Sequence, residues 1–339
     1  MTSTVTLLAT ALLLLGAPLT AEAQSAGKIA TAAQRQEKAF RVGYLTAGSQ
    51  SDQGRRRRFE AFRQALRDLG HVDGQTIAFE FRWAEGQYDQ LPTLAAGLVR
   101  SKVDVIVAVG GAAARAAQQA TGTIPIVMVA VNDPLGSGLV PSLSHPGGNV
   151  TGTSLMAPDL VGKQFQVLKE TVPKVSRVAL LRNPANPASE HQLREAETAA
   201  RALGMRLQSL EARGPEDIDR AFAAMTRERA SALVVLTDSI FTNQRRQIAE
   251  LAVERRLPAV YGHIEHAEAG GLLAFSANLL DVERRAAVYV DRIPKGAKPG
   301  DLPVEQPTKV ELVVNLRAAK AIGLTVPPSV LQRADHVIE

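Results

Sequence analysis

The sequence of 339 residues contains no cysteine. Disulfide cross-links, a thiol nucleophile and a lipid-bearing cysteine behind a leader are thereby excluded, so stability rests on an apolar core. Aromatic residues make up only 4% of the chain, too few for platforms that stack nucleic-acid bases. The net charge of +5 would otherwise invite that reading, but the basic residues are scattered. Their one run, Arg55-Arg56-Arg57-Arg58, reads as the solvated face of a helix, and no nucleic-acid partner is expected. Signatures of catalysis are missing too: no Gly-x-Ser-x-Gly elbow, Walker loop or His-Glu-x-x-His occurs. Gly43 to Gly48 does not form the G-x-G-x-x-G fingerprint of a dinucleotide site. His263-Ile264-Glu265-His266 is the one cluster with the residue types of a metal site. With no further ligand pair nearby it reads as exposed loop histidines, and neither a metal nor a cofactor is expected.

Long apolar runs are scarce as well. Beyond the first residues no stretch is long enough to cross a bilayer, so no direct membrane insertion is expected. The start differs: an apolar run at Val5–Leu15 breaks at Gly16-Ala17-Pro18 and leads to Ala21-Glu22-Ala23. That pattern predicts a signal peptide over residues 1–23, cleaved near Ala23, and hence a periplasmic protein. Met1–Thr6 carries neither Lys nor Arg, so the usual positive n-region is reduced to the terminal amine. Residues 24–39 read as a polar leader.

What the chain does contain is the same pattern twice. Arg41-Val42-Gly43-Tyr44-Leu45 runs into Thr46-Ala47-Gly48-Ser49, and Arg177–Leu181 runs into Arg182-Asn183-Pro184-Ala185-Asn186-Pro187. Thr76–Phe81 recurs as Met205–Leu210, Val105–Val109 as Leu233–Thr237, and Ile124–Val127 as Leu257–Val260, in the same order and at nearly one spacing. The strands are short and apolar throughout, as parallel strands covered on both faces are. Between them lie stripes at helical spacing: Phe59, Phe62, Leu66 and Leu69; Val161, Phe165, Leu168 and Val172; Leu193, Ala196, Ala200 and Leu203. The expected fold is therefore α/β, with two similar doubly wound parallel-sheet lobes joined by a multi-strand hinge. The first lobe is expected over 40–152 plus about 275–307, the second over 153–274 plus about 308–339. Three crossings between them make a clamshell hinge.

In open α/β sheets ligands sit outside the carboxyl ends of the strands, so candidate binding groups are sought there. Gly110-Gly111-Ala112-Ala113 follows one strand and opens a helix, where a bare backbone and free N–H groups favour a carboxylate or phosphate. Asn132-Asp133-Pro134 follows the next strand. Asn183, Asn186 and Thr237-Asp238 hold the matching positions of the second half. Each alone is also explained as turn chemistry, and it is their common rim that points to binding.

Phe40–Leu45, Gly70-His71-Val72-Asp73-Gly74-Gln75, Pro146-Gly147-Gly148-Asn149-Val150-Thr151-Gly152, Arg182–Pro187, Gly270-Gly271-Leu272 and the closing Ala334–Ile338 together resemble the ABC-transporter substrate-binding proteins of the tryptophan/tyrosine-uptake type. The resemblance implies a type I periplasmic-binding fold that closes on a small solute, an amino acid or related carboxylate with aromatic ones included. It also implies delivery of the solute to an ABC permease in the inner membrane, and a monomer is expected. It places ligand contacts at Ser49, Gly111, Ala112, Asn132, Asp133, Asn183, Asn186 and Asp238, and Tyr261 and Ser276 complete the candidate set. The chain departs from the family at Ile264-Glu265-His266, where Arg-Glu-Phe is usual, and at Phe275-Ser276, where a Tyr-Gly pair is. Two rivals share the architecture. A sensing domain of a transcription regulator needs a DNA-binding helix pair before the first strand, and a two-lobed enzyme needs an acid/base constellation. Neither stands out in the sequence.

Overall fold

A computed structural model describes residues 39–339; the signal-peptide reading and nearly all of the polar leader lie outside the described residues. The first sheet is built from β1 (Phe40–Thr46), β2 (Ile77–Trp83), β3 (Val105–Val109), β4 (Ile126–Val131) and β5 (Val150–Ser154). Helices α1 (Gln53–Asp68), α2 (Leu91–Arg100) and α3 (Gly111–Ala120) connect its strands. The spatial order is β2-β1-β3-β4-β5 and every pairing is parallel. Alternating side chains explain why the strands read as unbroken apolar runs. Val42, Tyr44, Val105 and Val107 pack into one core, while Leu45, Ile106 and Ala108 pack into another on the opposite face.

The second sheet repeats this plan. After α4 (Ala157–Thr171) come β6 (Arg177–Arg182), α5 (Ser189–Ala202), β7 (Arg206–Glu211), α6 (Pro215–Arg227) and β8 (Ala232–Val235). Then follow α7 (Ser239–Asn243), α8 (Arg245–Glu254), β9 (Ala259–Tyr261), α9 (Ile264–Glu268) and β10 (Leu273–Ala277). The order β7-β6-β8-β9-β10 is that of the first sheet strand for strand. The repeat seen in the sequence is thus a repeat of topology. Its cores are again two-faced, with Val178, Leu180 and Val234 on one side and Ala179, Leu181 and Val235 on the other.

The chain crosses between the sheets after β5, after β10 and before β11. Helix α10 (Leu279–Arg292) returns to the first lobe and packs along α1, β4 and β5. The chain then pairs back at Thr153 and Glu305 before β11 (Val310–Asn315), α11 (Leu316–Ile322), α12 (Pro328–Leu331) and β12 (His336–Ile338) extend the second sheet. β11 runs antiparallel to β10, so this sheet is mixed at one edge where an all-parallel sheet was expected. Parallel strands need a crossover that carries the chain back to the sheet's starting end; here the chain leaves at the carboxyl end of β10, detours through the other lobe and re-enters at that same end, with Val310 opposite Ala277.

One irregularity aims the site. The β4–β5 register shifts between Met128 and Val131, and Ala130 takes a positive φ of 53°. Gly152, at φ 129°, leaves no room opposite: a Cβ there would lie 2.0 Å from the Met128 carbonyl oxygen. Such a bulge redirects the following residues, here Asn132 and Asp133, toward the other lobe.

Candidate ligand-binding site

Between the lobes, at the carboxyl ends of both sheets, lies a cavity of about 50 Å³. The first lobe lines it with Ala47 and Gly48 after β1, the first two turns of α1, Gly110–Ala113 at the start of α3, and Asn132 after β4. The second lobe contributes Asn186, Thr237–Ser239, Thr242, Asn243 and His263. Leu279 and Glu283 of α10 close the remaining wall.

Asp238 organises the second-lobe wall. It caps α7 by accepting from the Ile240 amide at 2.8 Å, and it accepts from Nδ2 of Asn183 at 3.1 Å and of Asn186 at 2.9 Å. Tyr88, from the first lobe, donates its hydroxyl to the same carboxylate at 3.0 Å. Burial pushes the Asp238 carboxyl upward against the pull of these four donors. Burial, with the neighbouring carboxylate, also drives the Tyr88 hydroxyl well above its ordinary value, so it stays a donor. A second cross-lobe bond runs from Asn132 Nδ2 to the Thr237 carbonyl at 2.9 Å.

The opposite wall is ionic. Asp52 caps α1 through the Arg55 amide at 2.6 Å and pairs with Arg245 of the other lobe. Arg55 Nη1 meets Glu283 Oε1 at 2.8 Å, and Arg58 meets Glu265 of α9 at 2.9 Å. The expectation that the arginine run is a solvated face is corrected here. Arg55 and Arg58, one helical turn apart, are buried, and only Arg56 and Arg57 are exposed. The reading of His263 and His266 as exposed loop histidines is corrected too. Both are buried, and His266 stacks on Tyr261 with ring centres 4.8 Å apart. Burial pushes His263 down to about 3 and His266 to about 4, which leaves both rings neutral near pH 7.

Of the residues named from the sequence, Gly111, Ala112, Asn132, Asn186 and Asp238 line the cavity. Asn183 is buried behind Asp238. Asp133 lies outside: one oxygen accepts from the Gly136 amide at 2.8 Å and the other meets His191 of the second lobe at 2.6 Å. Ser49 faces the groove beside the cavity, with its hydroxyl 2.8 Å from that of Ser51. Tyr261 is fully buried under α9, and Ser276 sits near the hinge with its hydroxyl on the Ala277 carbonyl. Sequence reasoning missed Asp52, Arg55, Tyr88, His263 and Glu283. The spacing of Arg55 and Arg58 was the available clue; Glu283 gave none, since its partner is 228 residues away.

A profile of the family described as ABC transporter substrate binding protein matches residues 50–338. A tyrosine-binding protein of Clostridioides difficile is 26% identical over 265 residues, covering 78% of this chain and 76% of that one. Among solved structures, a conserved domain protein from Vibrio cholerae superposes with a TM-score of 0.84 at 27% identity, covering 88% of this chain and all of that one. The ABC domain in complex with L-Trp from Streptococcus pneumoniae superposes with a TM-score of 0.83 at 26% identity, over 89% of this chain and 100% of its own.

Proposed function

The chain belongs to the ABC transporter substrate-binding proteins, and from that premise we propose that it captures a small polar solute between its lobes and delivers it to an ABC permease. The solute is an amino acid or related carboxylate, a class that includes the ligands named for two of its relatives. The observation that carries the proposal is the placement of the cavity. Polar groups of both lobes converge on it from the strand ends, where such sheets bind ligands. In this reading the lobes are 40–152 with about 275–307 and 153–274 with about 308–339, and the three connecting segments act as the hinge.

Closure follows from where the contacts are. A solute held by both walls has more partners in the closed form, and that differential affinity is what shifts the open-closed balance. Export to the periplasm, a monomeric state and action without chemical turnover complete the proposal. A melting screen of the mature chain with amino acids, small carboxylates and nucleosides tests it. A solute at a hundred times its dissociation constant stabilises the fold by about 2.7 kcal/mol, and a rise of several degrees is expected for at least one amino acid. A screen in which no small solute raises the melting temperature would refute the proposal.

A further inference from the structure

Three carboxylates line the interlobe cavity, and their hydrogen-bonding states differ. Asp52 is occupied by the Arg55 amide and the Arg245 guanidinium. Asp238 accepts four donors, which fills the lone-pair positions of both oxygens. Glu283 is different. Its Oε1 accepts from Arg55 at 2.8 Å, while its Oε2 is buried without a donor, and the residue is only 1% exposed. Nε of Arg55 and Nδ1 of His263, which line the same cavity, are likewise buried without partners. A buried carboxylate oxygen with no donor is rare in folded proteins. The same cavity holds the start of α3, a ten-residue helix with no capping side chain, preceded by Gly110 at φ 84°. Its first amides have no partner within the helix and favour a negative group.

We propose that Glu283 Oε2 receives the ammonium group of the solute while its carboxylate lies toward the amides of Gly111 and Ala112, so that the site selects α-amino acids over uncharged solutes such as sugars. The inference rests on the reading of this cavity as the solute site and adds its charge requirement. An ammonium forms a charge-assisted bond with the free carboxylate oxygen, and Arg55 holds that carboxylate in place from the other side. A sugar hydroxyl brings a donor but no charge for either end of the cavity.

Titration calorimetry of the full chain with the standard L-amino acids, and with the amine-free acid matching each binder, tests this. The native protein is expected to prefer an amino acid to its amine-free counterpart by about tenfold or more. In Glu283→Gln both affinities should converge to within about threefold, because the charge that the amine seeks is gone. A role confined to holding the fold would lower both by the same factor. Should Glu283→Gln not fold, Glu283→Asp, with its carboxylate drawn back by one methylene, should weaken the amino acid more than the amine-free acid. An amine preference that survives in Glu283→Gln, or its absence from the native protein, overturns the assignment. Binding of a neutral sugar with no amino acid bound overturns it while leaving solute capture intact. No binding of any solute class overturns the reading of the cavity itself.

Discussion

At the scale of single residues, the polar groups at the strand ends divide between those that face the cavity and those that hold them. Asn183 belongs to the second kind: it donates to Asp238 and accepts from the Ala185 amide. Asn183→Ala should lower affinity for the solute found by melting screen about fivefold, as one buried hydrogen bond is worth about 1 kcal/mol. Calorimetry that shows no change would remove Asp238 from the binding wall. Asp133→Ala should act through closure instead, by loss of the contact with His191, and more weakly. Acid should weaken the fold at three named residues. His263 and His266 sit at about 3 and about 4 against an ordinary 6.5, first because of burial. The unfolded chain therefore takes up their protons first, so this stability is full above about pH 6.5 and is lost as pH falls toward 4 and 3. For Glu265, burial pushes the carboxyl upward, but Arg58 and its other neighbours hold it at about 2 against 4.5. That contribution is present above about pH 4.5 and lost toward 2. The melting temperature should decline from pH 6.5 downward, and His266→Phe, which can keep the stacking on Tyr261, should flatten the upper part of the decline. A flat profile from pH 7 to 4.5 would contradict the burial of these rings.

At the scale of elements, α1 does more than cover its sheet. Its buried stripe of Phe62 and Leu66 packs into the first lobe, while its first two turns reach across to the second through Asp52–Arg245, Arg57–Glu268 and Arg58–Glu265. These pairs are unequal. Arg57 and Glu268 are largely exposed, and such pairs contribute about 0–1 kcal/mol. Arg58 and Glu265 are buried, and removal of one partner from a buried pair costs up to about 3–5 kcal/mol. Urea unfolding should therefore leave Arg57→Ala close to the native midpoint and move Arg58→Ala clearly lower. Equal effects would mean that α1 and α9 are not held by the buried pair. The apolar stripe of α1 was legible from the spacing of Phe59, Phe62 and Leu66, because helix periodicity is local. Its ionic edge was not, because a run of four arginines looks the same whether solvated or set against carboxylates far along the chain. β12 escaped notice for another reason: three residues at a sheet edge carry too short an alternation to be told from a tail.

At the scale of the whole molecule, the scarce aromatic residues are spent away from the cavity. Tyr44, Phe59, Phe62, Phe79, Phe81 and Trp83 cluster where β1, β2 and α1 meet, and only Tyr88 among the tyrosines, tryptophan and phenylalanines lines the site. The two-lobed plan was readable because each half repeats its strands in one order, and the rim followed from the strand ends. Which rim residues touch one another was not readable, because contacts such as Asn132 to Thr237 and Tyr88 to Asp238 exist only once the lobes meet. If the proposed closure operates, those contacts belong to its closed form, and the movement that makes them can be followed. A chain without cysteine accepts a single introduced pair as a clean reporter. Gln53→Cys and Arg246→Cys place labels on opposite walls of the groove that Asp52 and Arg245 bridge, one in each lobe and both exposed. Spin-label distances should be broad and long in the solute-free protein, and a bound amino acid should draw them into one short, narrow population, as a ligand that contacts both walls shifts the balance only by its extra affinity for the closed form. The same labels in Arg58→Ala should need more solute to reach that population, because the closed form has lost the buried pair between α1 and α9. Distances that stay fixed while calorimetry reports binding would show that the cavity fills without movement of the lobes.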